Sequence, residues 1–182
     1  MKKLEGYAAK FNARSAPIGG SFYETITRGA FAASLRTADV KFLWNHDTNH
    51  PLGRTSAGNL RLEEDAVGLK FSLDLPDTGA AKDLWELVSK KIVSSMSFGF
   101  TIPSGGDTWQ RAGRDGLPTR VLNTISIQEV SSTAFPAYPQ TEIHVREAAV
   151  VEAVQPVAAV PFTSRDLDMK KRRLRLIELT AA

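Results

Sequence analysis

Apolar and polar residues alternate in short runs along most of the chain, the period of half-buried strands. Leu4 to Asn12 reads as the first strand, Ala13 to Gly20 as a Pro- and Gly-bearing loop, and Ser21 to Ile26 as the second strand. Thr27 is placed to cap a short helix through Gly29 to Leu35, with Ala30, Phe31 and Ser34 at helical spacing. Val40 to Trp44 is a further strand that delivers Asn45-His46-Asp47 at its end, and Pro51 and Gly53 break the chain after it. Leu60 to Glu64 and Leu69 to Leu75 form a hairpin around Asp65-Ala66-Val67-Gly68.

The period then changes. After Pro76, either Asp77 or Thr78 can cap a helix whose apolar stripe is Leu84, Trp85, Val88 and Ile92. Lys82, Asp83, Glu86, Lys90 and Lys91 face water on its other side. This helix leads into Ile92 to Phe100, a strand with two unlike faces. Ile92, Ser94, Met96, Phe98 and Phe100 alternate with Val93, Ser95, Ser97 and Gly99. The small second face leaves room for another group to approach the backbone. Thr101 to Asn123 is polar and Gly-rich, with a hairpin tip at Gly113 to Gly116. Thr124 to Thr133 is another strand, Phe135 to Pro139 turns the chain, and Glu142 to Val145 is the last strand.

Many short strands with two helices predict a mostly β fold of α+β type, with closed or partly closed β-barrel packing and flanking helices. Composition shifts after Glu147. Residues 1–147 therefore read as the folded domain, 148–165 as an Ala-, Val- and Pro-rich flexible linker, and 166–182 as a basic C-terminal helix opened by the capping spacing Thr163-Ser164-Arg165-Asp166. The basic excess is unevenly placed: Lys170 to Arg175 hold five cations, so the rest of the chain has no overall basic excess and a nucleic-acid partner is not expected of the domain. With no cysteine, disulfides and thiolate metal sites are excluded. No apolar run reaches membrane-spanning length, and no signal-peptide pattern opens the chain.

Three histidines exist: His46, His50 and His144. A metal site at His46, Asp47 and His50 is weakened by the Asn49-His50-Pro51 sequence, which is not the helix on which an i, i+4 histidine pair works best. A serine nucleophile needs a base within reach and a group to orient that base. Ser97, His46 and Glu129 supply the three parts, although taken singly Ser97 reads as a core-strand serine and Glu129 as a solvent-facing carboxylate.

Gly6-Tyr7-Ala8, Gly29-Ala30-Phe31, Trp44-Asn45-His46-Asp47, Pro51-Leu52-Gly53-Arg54, Gly68-Leu69, Met96-Ser97-Phe98-Gly99-Phe100, Glu129-Val130-Ser131 and Phe135-Pro136-Ala137 follow one another in an order that resembles the HK97-type phage prohead (capsid maturation) proteases. The resemblance covers roughly residues 4 to 146. It implies a serine endopeptidase related in fold to the herpesvirus assemblins, a mostly antiparallel β-barrel ringed by helices, with the histidine first in the chain, the serine second and the third triad member last. His46, Ser97 and Glu129 keep that order, with a carboxylate where the assemblins use a second histidine. His144 is the alternative third member and Ser95 the alternative nucleophile. An assemblin-like oxyanion hole draws on backbone amide and arginine groups after the third member; Ser131 to Pro139 contains no arginine, so the hole must use other amides or be built differently.

The resemblance further implies cleavage of scaffold and capsid-protein extensions, and of the chain itself, without a cofactor. It places the protein in the host cytoplasm inside an assembling prohead. The expected partners are the major capsid protein and its scaffold segment together with further copies of this chain, and no membrane. The competing class is a non-catalytic β-barrel assembly factor that binds capsid protein or nucleic acid.

Overall fold

A computed structural model describes residues 2–113 and 116–147. The expected linker at 148–165 and helix at 166–182 lie outside the described residues. Among the described residues eleven strands and two helices follow in the order β1 (Lys2–Lys10), β2 (Tyr23–Ile26), α1 (Ala32–Leu35), β3 (Lys41–Trp44), β4 (Asp47–Arg54), β5 (Leu60–Glu64), β6 (Gly68–Asp74), α2 (Gly79–Ser89), β7 (Ser95–Thr101), β8 (Asp107–Gln110), β9 (Thr119–Leu122), β10 (Ser126–Thr133) and β11 (Glu142–Glu147). They form two four-stranded sheets, β11-β1-β6-β5 and β4-β3-β10-β7, and a smaller sheet, β2-β9-β8.

The mostly β expectation holds, but among the described residues the strands do not close into a barrel, and they are not all antiparallel. β3 and β10 pair in parallel, as do β2 and β9. The two larger sheets meet at both edges without a ladder. At one edge the Ile143 amide bonds the Ser94 carbonyl at 3.3 Å, and Thr141 Oγ1 accepts from the Met96 amide at 3.0 Å. At the other, the Asn59 side chain donates to Leu52 and Asp74 carbonyls and accepts from the Arg54 amide. Apart from the single Ile143–Ser94 bond, side chains take the place of the backbone pairing that closure would require. Between the sheets lies one core, with Phe42 on Phe71 and Phe98 in contact with both Phe31 and Tyr138.

Local chemistry explains where elements depart from the simplest reading. Thr78 caps α2 by accepting from the Ala81 amide, and Leu84 and Val88 are buried beneath it. Ile92 belongs to neither the helix stripe nor the strand. Lys91 takes a left-handed φ of 58°, the Ile92 and Val93 amides both bond the Leu87 carbonyl, and Ile92 is left exposed. β7 therefore starts at Ser95. Thr27 does not cap α1; its hydroxyl donates to the Leu122 carbonyl, Phe31 occupies the cap position, and the Phe31 amide is satisfied by Glu64. Pro51 and Gly53 do not end β4, because β4 is the outer strand of its sheet, where proline's missing amide costs no ladder bond.

A buried polar clamp anchors the segment between β10 and β11. Tyr138 and Glu24 are both buried, and the Tyr138 hydroxyl donates to Glu24 Oε1 at 2.8 Å. Burial pushes the Glu24 carboxyl above the usual range, against the opposing pull of Tyr138 and Arg120. Its contribution to stability is therefore fullest below the ordinary glutamate range and is lost as pH rises through the raised value. Tyr138→Phe should cost about 1–3 kcal/mol, because a buried carboxylate loses a donor. That deficit should widen as pH rises and Glu24 ionises. Equal loss at pH 4 and pH 8 in denaturant unfolding would show that the hydroxyl does not serve the carboxylate.

Candidate active site

The outer face of the β4-β3-β10-β7 sheet carries the polar groups. On β7 the side chains alternate as expected, with Met96 and Phe98 in the core and Ser95, Ser97 and Gly99 on the opposite face. Across from them on β10, Thr133 pairs with Ser95, Ser131 with Ser97, and Glu129 with Gly99. Cross-strand partners share a face.

Strict alternation would turn Glu129 toward the core, since Ile127 two residues earlier is buried there. The register, however, shifts between Ile127 and Glu129, which makes Gln128 an extra residue in β10. This bulge puts Glu129 on the outer face while Val130 returns to the core. The space that the carboxylate enters is provided by Gly99. A Cβ there would lie 2.4 Å from Glu129 Oε1 and 3.1 Å from Cγ and Cδ.

His46 arrives on the two-residue turn between β3 and β4, where Trp44 pairs with Asp47. Asn45 and His46 both have left-handed φ, 54° and 59°, the pattern of a type I′ hairpin turn that favours Asn first. Left-handed histidine is uncommon and needs surroundings that hold it. β10 does so. The Asn45 amide bonds the Ser132 carbonyl at 2.8 Å, Thr133 Oγ1 donates to Asn45 Oδ1 at 3.1 Å, and the His46 amide donates to Ser131 Oγ at 3.1 Å. The His46 ring then reaches back, with Nδ1 2.7 Å from Glu129 Oε1. The His46 side chain is 45% exposed and that of Glu129 14%, so the imidazole meets solvent while its acidic partner is largely enclosed.

His46 and Glu129 are thus in contact, and Ser97 stands directly opposite Ser131, whose Oγ bonds both the Glu129 carboxylate and the His46 amide. His144 is not brought to this place. It lies on β11 in the other four-stranded sheet, exposed, opposite Glu5 and 3.8 Å from Glu142. The His46, Asp47 and His50 grouping also divides: His50 Nδ1 turns to Asp47 Oδ2 at 2.8 Å, while His46 turns to Glu129. Among the described residues no three metal-ligating side chains converge.

The family model for caudovirus prohead serine proteases matches residues 1–156, most of the chain and all of this site. The chain belongs to that family. No curated protein matches it. As a prohead serine protease it is a serine peptidase of phage capsid maturation, acting within the assembling capsid in the host cell and interacting there with capsid and scaffold proteins. Among the described residues no helix is long and apolar enough to cross a membrane.

Two contributors to the protease's polar face were not visible in the sequence as such. Ser131 lies inside the Glu129-Val130-Ser131 block without an evident role, and the small size of Gly99 does not say which group fills the space. The spacing of Ile127 and Val130 did carry a signal. Two core residues three apart in one strand require an extra residue between them, and so announce the bulge.

Proposed function

We propose that Ser97 is the nucleophile, His46 the general base and Glu129 the residue that orients His46, in an endopeptidase that trims scaffold and capsid-protein extensions and cleaves itself. The contact between His46 Nδ1 and Glu129 Oε1, on the face that bears Ser97, is the observation that carries this reading. With Nδ1–H held by the carboxylate, Nε2 is the ring nitrogen left to take the Ser97 hydroxyl proton. Ser97 Oγ then adds to the scissile carbonyl, and His46 returns the proton to the leaving amine as the C–N bond breaks. A water, deprotonated by His46, hydrolyses the acyl-enzyme and restores Ser97. Glu129 stabilises the imidazolium without becoming protonated.

Self-association is part of the same reading. So is a relationship in fold to the herpesvirus assemblins.

A fluorophosphonate probe tests the assignment. Peptide mapping of the labelled full-length chain should place the adduct on Ser97. Glu129→Gln should slow labelling strongly, and His144→Ala should leave it unchanged. An adduct on Ser95, or a His144→Ala chain that no longer labels beside a fully reactive Glu129→Gln chain, would overturn the assignment. Exhaustive chelation should not alter labelling or cleavage; dependence on metal would point instead to His46, Asp47 and His50.

A further inference from the structure

Beneath the His46–Glu129 contact lies a hydroxyl that the triad does not use. Ser131 is fully buried. Its Oγ donates to Glu129 Oε2 at 2.5 Å and accepts from the His46 amide at 3.1 Å. One side chain therefore touches the carboxylate that holds the imidazole and the strained backbone that presents it. The two contacts use the hydroxyl in its two capacities, its proton toward the carboxylate and a lone pair toward the amide. Ser131 is also the cross-strand partner of Ser97. It is not itself a nucleophile candidate, because it is closed to solvent and its proton is committed to Glu129.

We propose that Ser131 is a positioning residue of the protease, fixing Glu129 and the His46 turn as one unit against the strand that carries Ser97. This role rests on the Ser97, His46 and Glu129 reading, to which Ser131 adds a fourth member. Glu129 has two oxygens. If only Oε1 were held, by His46, the carboxylate could rotate about its terminal torsion, which is broad and weakly restricted. Ser131 on Oε2 removes that freedom. On the other side, a left-handed histidine persists only where its surroundings specify it, and the bond from the His46 amide to Ser131 Oγ is one of those that do. Loss of the hydroxyl should loosen both ends of the His46–Glu129 contact at once.

The test uses the full chain and the rate of fluorophosphonate labelling of Ser97, separated into probe affinity and the rate at saturating probe. Ser131→Ala should lower the saturating rate roughly 10- to 100-fold, the worth of a hydrogen bond to a charged group, with affinity within about twofold. Added to Glu129→Gln, the same substitution should cost less than about threefold more, because the two residues act as one unit. A full multiplicative loss in the double variant would mean that Ser131 does not work through Glu129, and an unchanged rate for Ser131→Ala would end the proposal outright.

Ser131→Thr and Ser131→Val, equal in shape, separate hydroxyl from packing and carry the test should the alanine variant fail to fold. Thr should label at least tenfold faster than Val, while equal rates would overturn the proposal. If Ser97→Ala still cleaves or Glu129→Gln labels normally, the triad itself is wrong. If those two variants fail as expected and Ser131→Ala does not, only the role of Ser131 falls.

Discussion

Ser97→Ala is expected to leave the co-expressed capsid protein, and the protease itself, at full length in intact-mass spectra, where the unmodified chain shows truncated products of both. The loss should be on the order of a millionfold in turnover, because no other group can form the acyl bond once the nucleophilic oxygen is gone. The change removes a single oxygen from a half-buried side chain on β7, whose neighbours Met96 and Phe98 fill the core on the other face. The fold should therefore be untouched, and a normal thermal transition in the inactive variant separates chemistry from stability. Ser95 is the nearest rival. It lies on the same face two residues earlier, but opposite Thr133, not opposite the Ser131 that touches both Glu129 and His46. Processing that survives Ser97→Ala and disappears with Ser95→Ala would move the nucleophile by one strand period.

The sequence shows the ingredients of this site more fully than its assembly. The two-faced β7 strand, the delivery of His46 at the end of β3 and the Thr78 cap of α2 are all readable, because each depends on residues within a few positions. What brings β3 beside β10 is a parallel pairing between segments more than 80 residues apart, and no local pattern encodes it. The same holds for β2 with β9: the hairpin pairing of β8 with β9 is legible in the polar stretch after Thr101, but the parallel partner that makes it a third sheet is not.

Closure into a barrel fails for a related reason. Alternation predicts which face of a strand is buried, but it does not predict whether the last strand of one sheet finds the first strand of another or is met by a threonine or asparagine side chain. Pro51 shows the converse, where a breaker is tolerated because its strand happens to be outermost. His144 was eligible as a third triad member by residue type alone. Its place on β11, in the other sheet, is tertiary information.

Gly99→Ala is the substitution in which fold and function should part most sharply. Within a strand, alanine is ordinarily preferred over glycine by roughly 0.5–1 kcal/mol, so backbone propensity favours the change. Backbone geometry does not demand glycine either, since Gly99 has no left-handed φ. What the new methyl meets is Glu129, with Oε1 at 2.4 Å, far inside any tolerated contact. The carboxylate sits at the end of a flexible side chain and can swing away more cheaply than β7 or β10 can move. Swinging away breaks its 2.7 Å contact with His46 Nδ1 and its bond from Ser131.

The imidazole then loses its orienting partner, a defect that costs about 10⁴-fold in turnover where a triad carboxylate is disabled. Gly99→Ala should therefore stay folded, its stability lowered by no more than about 1–3 kcal/mol for the buried Ser131 hydroxyl that loses its acceptor, yet lose activity to about the level of Glu129→Gln. Combining the two should cost little more than either alone, because both remove the same contact. A fully active Gly99→Ala protease would show that Glu129 keeps its place despite the methyl or that its place does not matter. Retained activity in Glu129→Gln would select the second explanation.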